Sequence, residues 1–454
     1  MPNLPSTIVA VLTIFSPLFS KPTFRKFLIL FHAHILCKGF RTITGLLKRL
    51  GLRDDKNFSN YHDFFNKNKW SALDGARILF LKLISLLPNQ ETIYISIDST
   101  VERRKGPKIK CLNIQRDAVR SSKSKKVLVP GLNWLVCTLN IKLPWGDKIW
   151  ALPFLTILIP PEKPLSSSKN KKDLKKKLKS HKTLNDWASQ VVKIIRKWAG
   201  ESMKITIVGD SAFATYLLAN TCIDCKVNLT SRMRLDARTF EFPTPNKNGR
   251  INLVGKRMPT FQNMLKDTLL VWDKVTILWY GGKSKEIQTL SGTCLWYGYG
   301  IRPVPIKWVL IRDLKGASDP VALFTLDLKL HAKEVITEYI SRWPIEVTFE
   351  EARRHLGMET QRQWSDMAID RETPCILASF SIITLIALEL QKANRDGIPL
   401  QTSSWYPKKH VTFSDVLAYV RRHILEEKYA SQFDQKTEPW NKELVEIINQ
   451  MVAA

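Results

Sequence analysis

Two β-rich runs, each closed by an aspartate, constrain this chain more than any other feature in it. "ETIYISIDST" carries the run Thr92–Ile97 with Asp98 at its C-terminal end, and "MKITIVGD" ends in Asp210. Between them stand two strand-like stretches, "GLNWLVCTLNIKL" and "KIWALPFLTILI", joined near "PWGD", so a hairpin is expected. A lysine-dense segment, "SSSKNKKDLKKKLKSHK", leads to "TLNDWASQVVKIIRKWA", whose apolar residues recur at the helical period. After Asp210 come a helix, "SAFATYLLANTC", and another strand, "KVNLTSRMRL". Strands first in a hairpin and then alternating with helices imply a mixed α/β sheet.

The flanking regions differ in texture. From Phe24 to Pro88 the pattern is that of short amphipathic helices, broken at Gly39 and Gly51 and with Ser59 as a candidate N-cap. Lys38, Arg41, Lys48 and Arg49 flank "RTITGLL"; a helix-turn-helix on DNA has this form, and so does a solvated bundle. Between residues 236 and 325 the helical period gives way to short strands such as "KVTILWYGG" and "IKWVLIRD", and helices resume at "LHAKEVITEYISRW". Five regions follow: helical 1–90, α/β 91–235, a β-rich insertion 236–325, α/β 326–392 and helical 393–454.

Seventy Lys and Arg against 41 Asp and Glu leave a net charge of +29, which favours a polyanionic partner. "TIVAVLTIF" is too short to cross a bilayer, and "CILASFSIITLIALEL" also falls short and suits a buried core helix. A soluble, cytoplasmic chain with no membrane partner is expected. The seven cysteines are odd in number and scattered, and Cys222–Cys225 has no second ligand pair for zinc, so a reducing compartment is expected.

The stretch "YISRWPIEVTFEEARRHLGME" places Tyr339, Arg342, Glu346, Glu350 and Arg353 at steps of three or four, which is one face of a helix. Pro344 predicts a kink or a helix start near Trp343. Asp98, Asp210 and Glu346 could converge as an all-oxygen site suited to Mg²⁺, and two such ions support phosphoryl transfer. An aspartate after a strand is also an ordinary turn residue, and a Glu/Arg helix face is an ordinary solvated surface.

The series Tyr339, Arg342, Glu346, Arg353 resembles the Tyr-Arg-Glu-Lys signature of bacterial insertion-sequence transposases with a DDE triad, the group called insertion sequence family four. Arg353 stands where lysine is usual. "DSTVERRKG", "GDSAF", "SGTCLWY" and "RWPIEVTFEEARRHLGMETQRQWSD" are similar to segments of one subgroup, and the resemblance spans nearly the whole chain. It implies an RNase H-like mixed sheet with flanking helices, interrupted by the β-rich insertion, with the first Asp on the first strand, the second on the fourth and the Glu on a later helix. It further implies that Asp98, Asp210 and Glu346 are catalytic and hold Mg²⁺, with Mn²⁺ as substitute, while Tyr339, Arg342 and Arg353 hold phosphates of the transposon end. Relatives stack a flipped base on a tryptophan of the insertion, for which Trp272, Trp279 and Trp296 are the candidates. Arg103, Arg104 and Lys105, in the basic stretch behind Asp98, are expected on the DNA backbone.

The implied activity is metal-dependent cleavage at element ends and strand transfer into target DNA. The implied partners are double-stranded DNA, as terminal inverted repeats and target, and a second copy of the chain on paired ends, in the nucleoid. Two alternatives stay open: a transposase-derived DNA-binding protein without catalysis, and a metal-dependent nuclease without strand transfer.

Overall fold

β1 (Ile93–Arg103), β3 (Leu128–Lys142), β4 (Ile149–Ile159), β5 (Ile205–Gly209) and β6 (Asn228–Met233) form the centre of one mixed sheet. The computed structural model describes residues 4–88, 92–117, 120–122, 124–146, 148–162, 181–245, 251–279, 284–313, 316, 318–429 and 451–452. Most of the lysine-dense segment before Thr183 and the "NKNGR" part of the insertion lie outside them.

β3 runs antiparallel to β1 and β4 antiparallel to β3, the expected hairpin. β5 runs parallel to β1, and β6 parallel to β5. Every residue of β5 is buried, as the continuous apolar run "ITIVG" requires of a strand covered on both faces. β2 (Asn113–Arg116), which the sequence did not suggest, adds to the free edge of β3. The mixed sheet with flanking helices is the α/β fold expected of an RNase H-like core.

The β-rich segment does not build a separate sheet. β11 (Val321–Thr325) pairs antiparallel with β6, β10 (Val304–Asp313) with β11, and β9 (Ser284–Trp296) with β10. β7 (Thr239–Phe240) and β8 (Asp273–Leu278) finish the far end, so 11 strands share one sheet.

Asp98 was expected at the end of its strand, yet β1 continues to Arg103. Pairing with β5 stops at Ile97–Gly209, but β3 carries the ladder on from Asp98–Val136 to Arg103–Gly131. One neighbour is enough to hold an extended backbone. The exposed edge that Asp98 faces is therefore made by β5 ending, not by β1 ending.

The helices, in chain order, begin with α1 (Ser6–Thr13), α2 (Lys21–Leu36), α3 (Ile43–Arg49), α4 (Ser59–Asn66) and α5 (Ala72–Ile84). α6 (Leu184–Ala199) opens with a Thr183–Asp186 capping box and buries Ala188, Val191, Val192 and Ile195. α7 (Tyr216–Asp224) and α8 (Phe261–Lys266) follow, then α9 (Ala332–Ile340), α10 (Pro344–His355), α11 (Asp366–Asn394) and α12 (Phe413–Tyr429). Ile8 and Leu12 of α1 and Phe80 of α5 share one apolar cluster with Ile95, Leu135 and Leu385.

The apolar run from Cys375 extends into a helix of 29 residues, long and apolar enough to cross a membrane by length and composition. In this fold 78% of its most apolar window is buried, with Ser381 Oγ donating to the Pro153 carbonyl of β4 at 2.6 Å.

Candidate functional site

Tyr339 to Arg353 do not share one helix. α9 ends at Ile340, a tight turn holds Ser341–Trp343, and α10 starts at Pro344. Proline has no N–H and its ring collides with the carbonyl four residues back, so the chain restarts there rather than kinks. Arg342 thus sits in the turn between two helices. Asn140 of β3 fixes that turn, its Nδ2 donating to Ser96 Oγ at 2.7 Å and to the Ser341 carbonyl at 2.8 Å. Thr348 Oγ1 donates to the Ala151 carbonyl at 2.8 Å and ties α10 to β4.

The turn brings the guanidinium of Arg342 between two of the acids. Nη1 donates to Asp98 Oδ2 at 2.8 Å, and Nη2 to Glu346 Oε1 at 2.6 Å. Arg342 is 7% exposed, and its Nε–H is buried without a hydrogen-bond partner. Asp210 follows the last residue of β5, one register step beyond the Ile97–Gly209 pair, which sets it beside Asp98. It caps the short turn Ser211–Phe213, with Ala212 N donating to Oδ1 at 2.9 Å. A Cβ on Gly209 would come within 2.9 Å of the Phe213 Cβ, so glycine there lets the turn fold back against β5.

Burial pushes the Asp98 carboxyl up to about 7; Arg342 opposes the shift, while Asp210 and Glu346 add to it as like charges. The three acids are therefore in electrostatic contact. Burial also raises the Tyr339 phenol, against Arg342 and Arg232, so it keeps its proton and stays a donor.

As the side chains stand, no group of three or more His, Cys, Asp or Glu among the described residues is arranged to hold a metal ion. At this site the guanidinium occupies the gap between Asp98 and Glu346. The donor chemistry still fits a hard divalent cation: all three residues offer carboxylate oxygens, and the bridging Arg342 answers the same demand for positive charge.

The other sequence candidates separate. Arg353 is anchored to β1, Nη2 donating to Thr100 Oγ1 at 2.6 Å and Nε to Glu359 Oε1 at 3.1 Å. Arg103 meets the same Glu359 through Nε at 2.8 Å. Arg104 was expected on DNA, but it is 5% exposed, paired to buried Glu102 at 2.9 Å and donating to the Gln363 carbonyl. Glu102 also accepts from Trp134 Nε1 and Thr373 Oγ1, both at 2.8 Å. Lys105 is exposed.

Trp296 is buried between Tyr216 and Phe324, with ring centroids 4.2 and 5.4 Å away, so its faces belong to the core. Its strand lies five steps across the sheet from β1, about 24 Å at normal strand spacing. Trp272 carries Arg312 over its ring at 4.0 Å, and Trp279 carries Lys285 at 4.9 Å. Arg41, one of the basic residues considered for DNA, is 3% exposed and caps two helix ends, donating to the Cys37 carbonyl at 2.7 Å and to that of His355.

Asn140, Thr100 and Glu359 were missed because single polar residues carry no local signal; only the strand and helix placement reveals them. Residues 14–284 match the model of a family described as DDE superfamily endonuclease, a span that includes Asp98 and Asp210 and stops before Glu346. No curated protein matches the chain.

Proposed function

From the premise that this chain belongs to the DDE superfamily endonucleases, we propose that it is an insertion-sequence transposase of the Tyr-Arg-Glu-Lys group. In this reading Asp98, Asp210 and Glu346 are the catalytic acids and metal ligands, and the substrate is the DNA at the ends of a mobile element. The observation that supports it most is the double ion pair of Arg342, which joins the acid on β1 to the acid on α10 beside the end of β5.

A divalent ion such as Mg²⁺ held by these carboxylates supplies Lewis acidity at the scissile phosphate. The chain's own residues orient that phosphate. Arg342 has a spare buried Nε–H, and its guanidinium can grip phosphate as it now grips carboxylate. Tyr339 adds a neutral hydrogen-bond donor. Arg353 contributes charge from its anchored position beside β1. Water attacks the phosphodiester at the element end and breaks its P–O3′ bond, which leaves a 3′-hydroxyl on the element and a 5′-phosphate on the flank. That hydroxyl then attacks a second phosphodiester and displaces its 3′-oxygen, and a second copy of the chain handles the paired end. The net charge of +29 supports a nucleic-acid substrate.

The test is labelled duplex carrying the DNA that flanks the reading frame on either side, incubated with Mg²⁺ and either wild type or Glu346→Gln. Cleavage that the substitution abolishes, with hairpin or joined products, is expected. Linear cuts alone would make the chain a nuclease without strand transfer. No cleavage by either protein would refute the enzyme reading.

A further inference from the structure

A trough of about 610 Å³ opens beyond the Arg353 end of α10, within the ~300–1,000 Å³ range of small-ligand clefts. Among the described residues its lining holds Arg103, Arg104, Lys105, Lys108, Arg120, Arg362 and Glu359. Arg104 is spent on buried Glu102, Arg103 on Glu359 and Asp117, and Arg120 leans on the same Asp117 at 3.7 Å, so cations still outnumber carboxylates there. Trp364 stands at its edge, 56% exposed, with Lys108 Nζ 4.9 Å from its ring centroid. Arg362 reaches back over Phe40, itself 67% exposed, at 6.0 Å.

An exposed indole is usually costly to leave in water, and the backbone next to this one is anchored. Its neighbour Gln363 is pinned through its carbonyl by Arg104. Arg104 is in turn locked to Glu102, whose other oxygen is taken by Trp134 and Thr373. A platform whose adjoining backbone is anchored in this way loses less freedom when something stacks on it. Lys108 covers one face of the ring, so a flat ligand would use the rest of it.

We propose that this trough binds an unpaired stretch of the DNA strand, with one base stacked on Trp364 and the backbone held by Lys105, Lys108, Arg120 and Arg362. Cations along a groove with an aromatic platform are the means by which single strands are bound without reading sequence. Position agrees: Arg103 lies five residues beyond Asp98 on β1, about 17 Å at strand rise. That is about five base pairs of duplex from the cut. The proposal rests on the nuclease reading and adds that the DNA beside the cut is opened.

The experiment uses the full chain in EDTA and a duplex forked at one end, with 2-aminopurine in the unpaired tail. Wild type is expected to quench the probe and to bind the fork more tightly than the blunt duplex. Trp364→Ala should abolish quenching and weaken fork binding about 5- to 150-fold, and Trp364→Phe should keep most of both. Trp405→Ala, at another exposed tryptophan, should behave as wild type. Lys105→Ala should lower the slope of log affinity against log salt by about 0.7. Equal quenching by wild type and Trp364→Ala, or equal affinity of wild type for fork and blunt duplex, would overturn the proposal. A protein that quenches but cuts no DNA with Mg²⁺ would refute the nuclease reading and leave the trough standing. One that cuts without quenching would overturn the trough alone.

Discussion

Replacing Asp98 with Asn is expected to stabilise the protein at neutral pH while ending cleavage. Burial holds the Asp98 carboxyl at about 7 in the fold, against 3.8 as the ordinary value. An acid with a raised folded pKa binds its proton more tightly when folded, so ionising it works against the fold. The penalty is absent below the unfolded pKa, grows between about 4 and 7, and is complete above 7. The full interval corresponds to about 4 kcal/mol. The side chain is 15% exposed, so solvent screens part of it, and asparagine, which resembles the protonated acid, is expected to recover about 1–3 kcal/mol. Unfolding entropy near 2.1 cal/mol/K per residue gives about 1 kcal/mol/K for 454 residues, so the gain reads as about 1–3 °C in Tm. The assay is thermal unfolding of wild type and Asp98→Asn in metal-free buffer at pH 8 and at pH 4. The reasoning fails if the variant is no more stable at pH 8, or if its advantage persists undiminished at pH 4.

Two other substitutions probe the scaffold of α10. Gly357→Ala meets both a φ of +72° and an Arg41 Cδ 2.9 Å from the new Cβ, and should cost about 1–3 kcal/mol in urea unfolding; an unchanged midpoint would show that Arg41 gives way freely. Arg353→Lys keeps the charge but cannot span Thr100 and Glu359 with one ammonium. A stability loss of about 1–2 kcal/mol is expected, with cleavage reduced less than in Arg353→Ala; equal cleavage losses would show that the guanidinium shape, not its charge, acts on DNA.

Much of the sheet was legible because its strands announce themselves locally. The strand "ITIVG", the hairpin of β3 and β4 and the helix α6 each follow from residue type and period. The candidate acids were legible as residue types. Their convergence was expected from the strand ends and from the family resemblance, but its geometry was not legible, because it depends on the parallel register Ile97–Gly209 between segments far apart in sequence. Nor did local pattern reveal that β11 joins β6, so that the insertion lengthens the same sheet.

One strand boundary decided several side-chain assignments at once. With β1 read as ending at Asp98, "ERRKG" looks like a basic loop in which Arg103, Arg104 and Lys105 are equivalent. With β1 running to Arg103, residues alternate between its faces. Glu102 and Arg104 then fall on the same side and are buried as a pair, while Arg103 between them turns to Glu359 and Asp117. The charge pattern was right in total and wrong in distribution. An alternating strand commits half of such a run to the interior whatever its charge, and Arg104 can stay there because Glu102 and the Gln363 carbonyl receive it. The buried half is what steadies the exposed half: the same Arg104 that is withdrawn from DNA holds the backbone beside Trp364, at the mouth of the basic trough.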